Sequence, residues 1–132
     1  MAATNVYEGI KTVTLTATDG GADVAALTSV ESISVTPQQT ELAAGYDNDA
    51  EETFHKYGPK KCRITIVFGD INECDKLANR GGTLFFTHEA EQGADAARKI
   101  TRAAFEQGGD TERWNTLSTF TLNGTGGANT AV

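Results

Sequence analysis

The chain has 132 residues, 39% of them hydrophobic and 8% aromatic, and a net charge of −7. That length suits one domain around one core, and the acidity disfavours adhesion to DNA phosphates or anionic lipid, both of which select Lys and Arg. Two cysteines, Cys62 and Cys74, are too few for a disulfide scaffold and are expected as reduced core residues.

No apolar stretch follows Met1–Asn5, and no run approaches the roughly 20 apolar residues of a membrane span, so neither a secretory signal nor a membrane anchor is expected. From Gly9 to Thr18 the pattern alternates: Val13, Leu15 and Ala17 share one face and Thr12, Thr14, Thr16 and Thr18 the other, the period of a half-buried strand. Asp19-Gly20-Gly21 is a turn signal, and a short strand or extended arm over Asp23–Leu27 follows. Val30–Thr36 alternates again, with Glu31, Ile33 and Val35 on one face, and Pro37 is expected to end it because proline has no N–H for a ladder.

Residues 38–60 carry little apolar periodicity. So long an irregular connection is uncommon in a compact domain and reads as a long loop or hairpin arm. Its first half is rich in carboxylates and its second half holds Phe54 and Tyr57. Lys61–Phe68 is the clearest strand, with Cys62, Ile64, Ile66 and Phe68 facing in. The period then changes. Ile71, Cys74, Leu77 and Ala78 recur at helical spacing, Asp70 and Glu73 form a capping-box pattern, and Gly81-Gly82 supplies a stop, which predicts one short helix over residues 71–80. Strands are predicted over Thr83–His88, Lys99–Glu106 (Ile100 and Ala104 opposite Ala103 and Phe105) and Trp114–Leu122. The predicted whole is mainly β: an antiparallel sandwich or barrel with one helix against it, a single domain over residues 1–124 and a flexible glycine-rich tail over 125–132.

Few residues suggest chemistry. His55 and His88 have no partner at metal-ligand spacing, and His88-Glu89 reads as a strand-end polar pair. Cys62 lies within an apolar strand face, where burial makes a thiol inert, and no Gly-x-Ser-x-Gly frame occurs. Asp47-Asn48-Asp49-Ala50-Glu51 spaces oxygens as a calcium loop does, but Glu52 stands where the sixth-position glycine is required and Gly58 where the twelfth-position glutamate is. Gly81-Gly82 and Gly108-Gly109 do not open helices and are not phosphate cradles. No catalytic, cofactor-binding or metal site is therefore expected. The candidate residues are those of a subunit interface: the acidic arm with Asp47, Asp49, Glu51 and Glu52, its aromatic half with Phe54 and Tyr57, and the basic cluster Lys60, Lys61 and Arg63. An arm with acidic and aromatic halves orders most readily against another copy.

The order of elements from Val30 to Gly124 resembles that of bacteriophage tail tube proteins and the related ring-forming subunits of injection systems. The stretches that carry the resemblance are Val30–Thr36, the arm up to Pro59, Arg63–Phe68, the helix, Gly82–Thr87 and Trp114–Leu122. The resemblance implies a non-enzymatic virion structural protein, made in the host cytoplasm and located in the viral tail. It implies self-assembly into rings, hexamers by the family pattern, which stack into a tube alongside other virion proteins. DNA would be only non-specific cargo in an acidic lumen. Two other readings fit the same residues. One is a capsid decoration or head–tail joining protein. The other is a monomeric ligand-binding β domain using Trp114, Tyr57 and Tyr46.

Overall fold

The computed structural model describes residues 4–38, 41–46, 52–57, 60–89, 95–106, 109–111 and 119–132. In chain order the strands are β1 (Asn5–Glu8), β2 (Ile10–Ala17), β3 (Val24–Leu27), β4 (Val30–Gln38), β5 (Glu41–Tyr46), β6 (Glu52–Tyr57) and β7 (Lys61–Phe68). Helix α1 (Ile71–Leu77) follows, then β8 (Gly81–Glu89), β9 (Asp95–Phe105), β10 (Gly109–Thr111), β11 (Thr119–Gly126) and β12 (Asn129–Ala131). Ten strands make one antiparallel sheet in the order β1-β4-β7-β11-β9-β8-β2-β3, with β10 beside β11 and β12 beside β9. The path is open, ending on β1 and β3. It nevertheless curls on itself: Tyr7 of β1 meets Phe86 of β8 edge to face, ring centroids 5.1 Å apart.

Alternation decides what lies inside. Val13 and Leu15 of β2, Cys62, Ile64, Ile66 and Phe68 of β7, and Leu84 and Phe86 of β8 are all buried in one cluster, as the two-residue period requires. The threonines of β2 face outward, where the Thr12 and Thr87 hydroxyls lie 2.9 Å apart across β2 and β8. Among the described residues no polar or charged residue is buried.

Three strands depart from simple alternation at irregular pairings: β3, where Val24 and Leu27 are both buried, β4 and β9. Between Val30 and Ser32 the register of β4 against β7 shifts, so Val30, Ile33 and Val35 go inside and Glu31 faces solvent, rather than sharing their face. In β9, Arg102 takes the left-handed conformation at φ 52°, and Thr101 and Arg102 of β9 oppose Thr83 alone of β8. The extra residue reverses the phase. Ile100, Ala103 and Phe105 therefore line the core, whereas simple alternation had set Ile100 with Ala104 and against Ala103 and Phe105.

Helix α1 is shorter than the pattern suggested, ending at Leu77 instead of residue 80. Ala78 is extended (ψ 133°) and Asn79 left-handed (φ 60°), so the chain has left the helix before the glycines. Those glycines open β8 instead. Gly82 lies so close to β2 that a side-chain carbon there would collide with the Thr16 carbonyl. Asp70 is the N-cap, accepting from the Asn72 N–H at 2.9 Å. Glu73 does not close the capping box. Its carboxylate accepts from the Thr28 and Ser29 N–H groups at 2.8 and 2.7 Å, tying the helix to the β3–β4 turn.

Two further expectations differ from the structure, and one strand is added. Pro37 does not end β4, which runs on to Gln38. Beyond the β1 register, which begins at Asn5 opposite Val35, Pro37 has only β7 as a paired neighbour, and an edge position tolerates its missing N–H. The N-terminal residues before Gly9 form a strand of their own, β1. The stretch 125–132, expected as a flexible tail, is paired: β11 continues to Gly126 opposite Cys62, and β12 lies along Arg98, Lys99 and Ile100 of β9. Its glycines serve close approach. A side-chain carbon at Gly126 would lie 2.5 Å from Ile100 Cγ2.

Candidate assembly surfaces

The arm is a hairpin. β5 and β6 pair with each other in a separate two-stranded sheet, Glu41 opposite Tyr57 and Tyr46 opposite Glu52. Glu52, Phe54 and Tyr57 fall on β6, while Asp47, Asp49 and Glu51 lie outside the described residues, as does the candidate calcium loop they belong to. Trp114 lies outside them too, and Tyr46 and Tyr57 are on the hairpin. Residues 41–57 carry five carboxylates against Lys56 alone, so four of the chain's seven net negative charges reside on the arm.

The basic cluster stands at the arm's root. Lys60, Lys61 and Arg63 are exposed at the start of β7. The fold adds two cations to them that spacing along the chain did not group there. Arg98 and Arg102 arrive from β9, because β11 and β12 bring the Gly126–Asn129 turn between β7 and β9. A cleft of about 430 Å³ opens here, lined by Gln38, Lys60, Lys61, Cys62, Arg102 and the segment Thr125–Gly127. It continues past Lys61 and Gly127 to Arg98 and Asn129. The Arg98 guanidinium is held in place, donating to the Asn129 side-chain and backbone oxygens at 3.1 and 3.2 Å. Asn129 in turn donates to the Tyr7 hydroxyl at 2.9 Å, joining β12 to β1. Arg102 lies over the Gly127 backbone, which has no side chain to displace it. No carboxylate lines either part of the cleft among the described residues.

The groups read for chemistry occupy structural positions. His88 stacks 4.9 Å from Tyr7 and 6.1 Å from Phe86, and its nearest polar partner is the Glu89 carbonyl at 3.4 Å. Cys62 and Cys74 are buried thiols rather than a bridged pair. Burial raises the Cys62 pKa, only partly offset by the Gly126 N–H, which leaves the thiol a poor nucleophile. Among the described residues no group of three or more His, Cys, Asp or Glu converges as a metal site, and no helix is long and apolar enough to cross a membrane.

The most perturbed carboxylate among the described residues has a structural task. Asp19, in the β2–β3 turn, accepts from Arg80 Nε at 2.9 Å, from the Gly21 N–H at 2.9 Å and from the Gly81 N–H at 3.0 Å. Arg80 also donates to the Ala22 carbonyl. The Arg80 hydrogen bond first, then the two N–H groups, hold Asp19 far below the usual carboxylate range. This clamp fixes the turn to the start of β8.

Two edges complete the surface. β1 and β3 end the sheet, with no described strand paired on their outer sides. Val6 of β1 is 59% exposed and Val132 beyond β12 is 72% exposed, the two large exposed hydrophobic residues among those described.

No protein-family model matches the chain, and no curated protein matches it. Among solved structures it is similar to a chain in the cryo-EM structure of the anti-feeding prophage baseplate, six-fold symmetrised. The TM-score is 0.55 at 11% identity, and the alignment covers 100% of this chain and 97% of the other. At that identity the likeness is one of fold, and it extends over both chains from end to end.

Proposed function

We propose that the chain is a non-enzymatic structural subunit of a virion tail or a tail-like injection particle, and that it works by assembling with copies of itself and with other proteins of the particle. In this reading six copies form a ring, rings stack into a tube, and the acidic lumen lets DNA pass as non-specific cargo, since like charge keeps phosphates off the wall. The observation that carries the reading is the full-length likeness of fold to a baseplate chain of the anti-feeding prophage. Two features support it. The sheet is open, and edges that would otherwise invite indiscriminate pairing are put to use when they meet the next subunit in a closed ring. The acidic arm is a hairpin that pairs with no described strand of the main sheet, which leaves it to engage another copy.

A second reading is favoured by where that neighbour sits. A baseplate subunit would form one ring and stop, whereas a tube subunit would stack rings. Negative-stain electron microscopy of the purified protein at rising concentration tests both. Stacked rings or tubes are expected. Single rings at every concentration assign the chain to the baseplate, and a protein that stays monomeric at the highest concentration overturns the assembly reading.

A further inference from the structure

From the basic cleft and the charge of the arm, we infer that the cleft between β7, β9 and the β11–β12 turn is the docking site for the acidic arm of a second copy of this chain. The inference rests on the self-assembly reading and names the contact through which it acts.

The cleft is a built feature. Cations converge on it from two strands that are not sheet neighbours, β7 and β9, with β11 between them. Lys60, Lys61, Arg98 and Arg102 line it, and no carboxylate does among the described residues. Lys60, Lys61 and Arg102 make no ion pair with any described carboxylate; the ion pairs there are Lys11–Asp95 and Arg80–Asp19. On a chain of net charge −7 this is a concentration of positive charge that no described carboxylate pairs. Gly126 and Gly127 line it as well, with Arg102 packed against Gly127. A flexible ammonium pair beside a planar guanidinium suits carboxylates presented along such a strand.

The arm supplies the complement. It carries four of the seven net negative charges on a hairpin that pairs with no strand of the main sheet. It cannot readily serve its own cleft. Gln38 and Lys60, on either side of the arm, both line the cleft, so the arm leaves from its rim. Six-residue β5 is about 20 Å long, and the hairpin pairs with no described strand of the main sheet. A neighbouring subunit's cleft is the matching receptor. Duplex DNA is the other polyanion that could lie on such cations, but it would have to approach against the repulsion of the remaining acidic surface.

Full-length variants decide the matter. Lys60→Glu, Lys61→Glu and Arg102→Glu together reverse the cleft, and Asp47→Lys, Asp49→Lys and Glu51→Lys together reverse the arm. Thermal unfolding checks that both fold, and the milder pair Lys60→Gln and Lys61→Gln stands in if the triple cleft variant does not. Self-association is followed by sedimentation at low and high salt. Each triple variant alone is expected to associate about 100-fold more weakly than the parent chain, from several pairs each worth a few-fold, and the Gln pair about tenfold more weakly. An equimolar mixture of the two triple variants is expected to recover association, and that of the parent is expected to weaken with salt. Parent-like association by the cleft-reversed variant overturns the inference and leaves the ring reading standing. So does recovery only when both triples are placed in one chain, which marks the contact as internal. Binding of a short DNA duplex that is lost in the cleft-reversed variant while self-association is unchanged also overturns it, in favour of nucleic acid. Conversely, charge-swapped association without rings in the microscope supports the docking contact while refuting the ring.

Discussion

At the scale of the residue, a few polar side chains do work that the apolar core cannot. Asp19 and Arg80 clamp the β2–β3 turn to β8, and Glu73 accepts two N–H groups of the β3–β4 turn that would otherwise face a helix without partners. The clamp gives stability a dependence on acid. Because the Asp19 pKa is depressed in the folded chain, its contribution is fully present above the ordinary carboxylate value of about 4 and is lost as pH falls below that toward the folded value. Asp19→Asn should therefore unfold at a lower temperature than the parent at neutral pH, and the gap should close progressively below about pH 4. Thermal unfolding followed by circular dichroism from neutral to strongly acid pH measures this; a gap that stays constant across the range would assign the clamp no ionic role.

At the scale of the element, pairing decides more than propensity. Residues 129–131 are Asn, Thr and Ala, a weak strand sequence beside a glycine-rich turn, yet they lie along β9 as β12. The Asn129 side chain bridges Arg98 and Tyr7, and the Val132 N–H donates to the Ala97 carbonyl at 3.1 Å. Removing residues 128–132 should cost about 3 kcal/mol, a few hydrogen bonds at about 1 kcal/mol each. Urea unfolding should show this as a lower midpoint. A floppy tail would leave the midpoint unchanged. The elements legible beforehand were those with strong periodicity: β2, β7, β8 and the start of α1. Their apolar positions repeat at the spacing of the structure they adopt, so local pattern and burial agree. What was misread follows from residues whose role depends on partners elsewhere. Arg102 carries no mark of a bulge, Glu73 looked like half of a capping box until the β3–β4 turn claimed it, and β1 has too few residues to show a period.

At the scale of the whole molecule, the distribution of charge and of open edge matters more than any single group. The arm holds most of the excess negative charge, the cleft at its root is positive, and no described strand pairs on the outer sides of β1 and β3. A ring built by edge pairing should be sensitive to a charge placed on that edge, the device by which edge strands are kept apart. Val6→Lys replaces an exposed side chain, so its effect on the isolated subunit should stay within about 0.5 kcal/mol. Its effect on assembly should be large, with the oligomer giving way to monomer at concentrations where the parent chain associates. Light scattering after gel filtration, set beside thermal unfolding, separates the two effects. Unchanged assembly would direct attention to β3 as the pairing edge.

The amino-acid sequence by itself determined the class of the fold, the inward faces of the strongest strands, the place where the one helix starts and the separation of an acidic arm from the body. These are properties of local periodicity and of composition, which act over a few residues and are written in order along the chain. Only the tertiary structure decided that the sheet curls until Tyr7 reaches Phe86, that Arg102 reverses the phase of β9, that the last residues form a strand, and that Arg98 and Arg102 join Lys60 and Lys61 around one cleft. Each of these depends on residues distant in sequence meeting across the sheet. Such meetings are set by register, bulges and the curl of the sheet as a whole, and no local pattern encodes them.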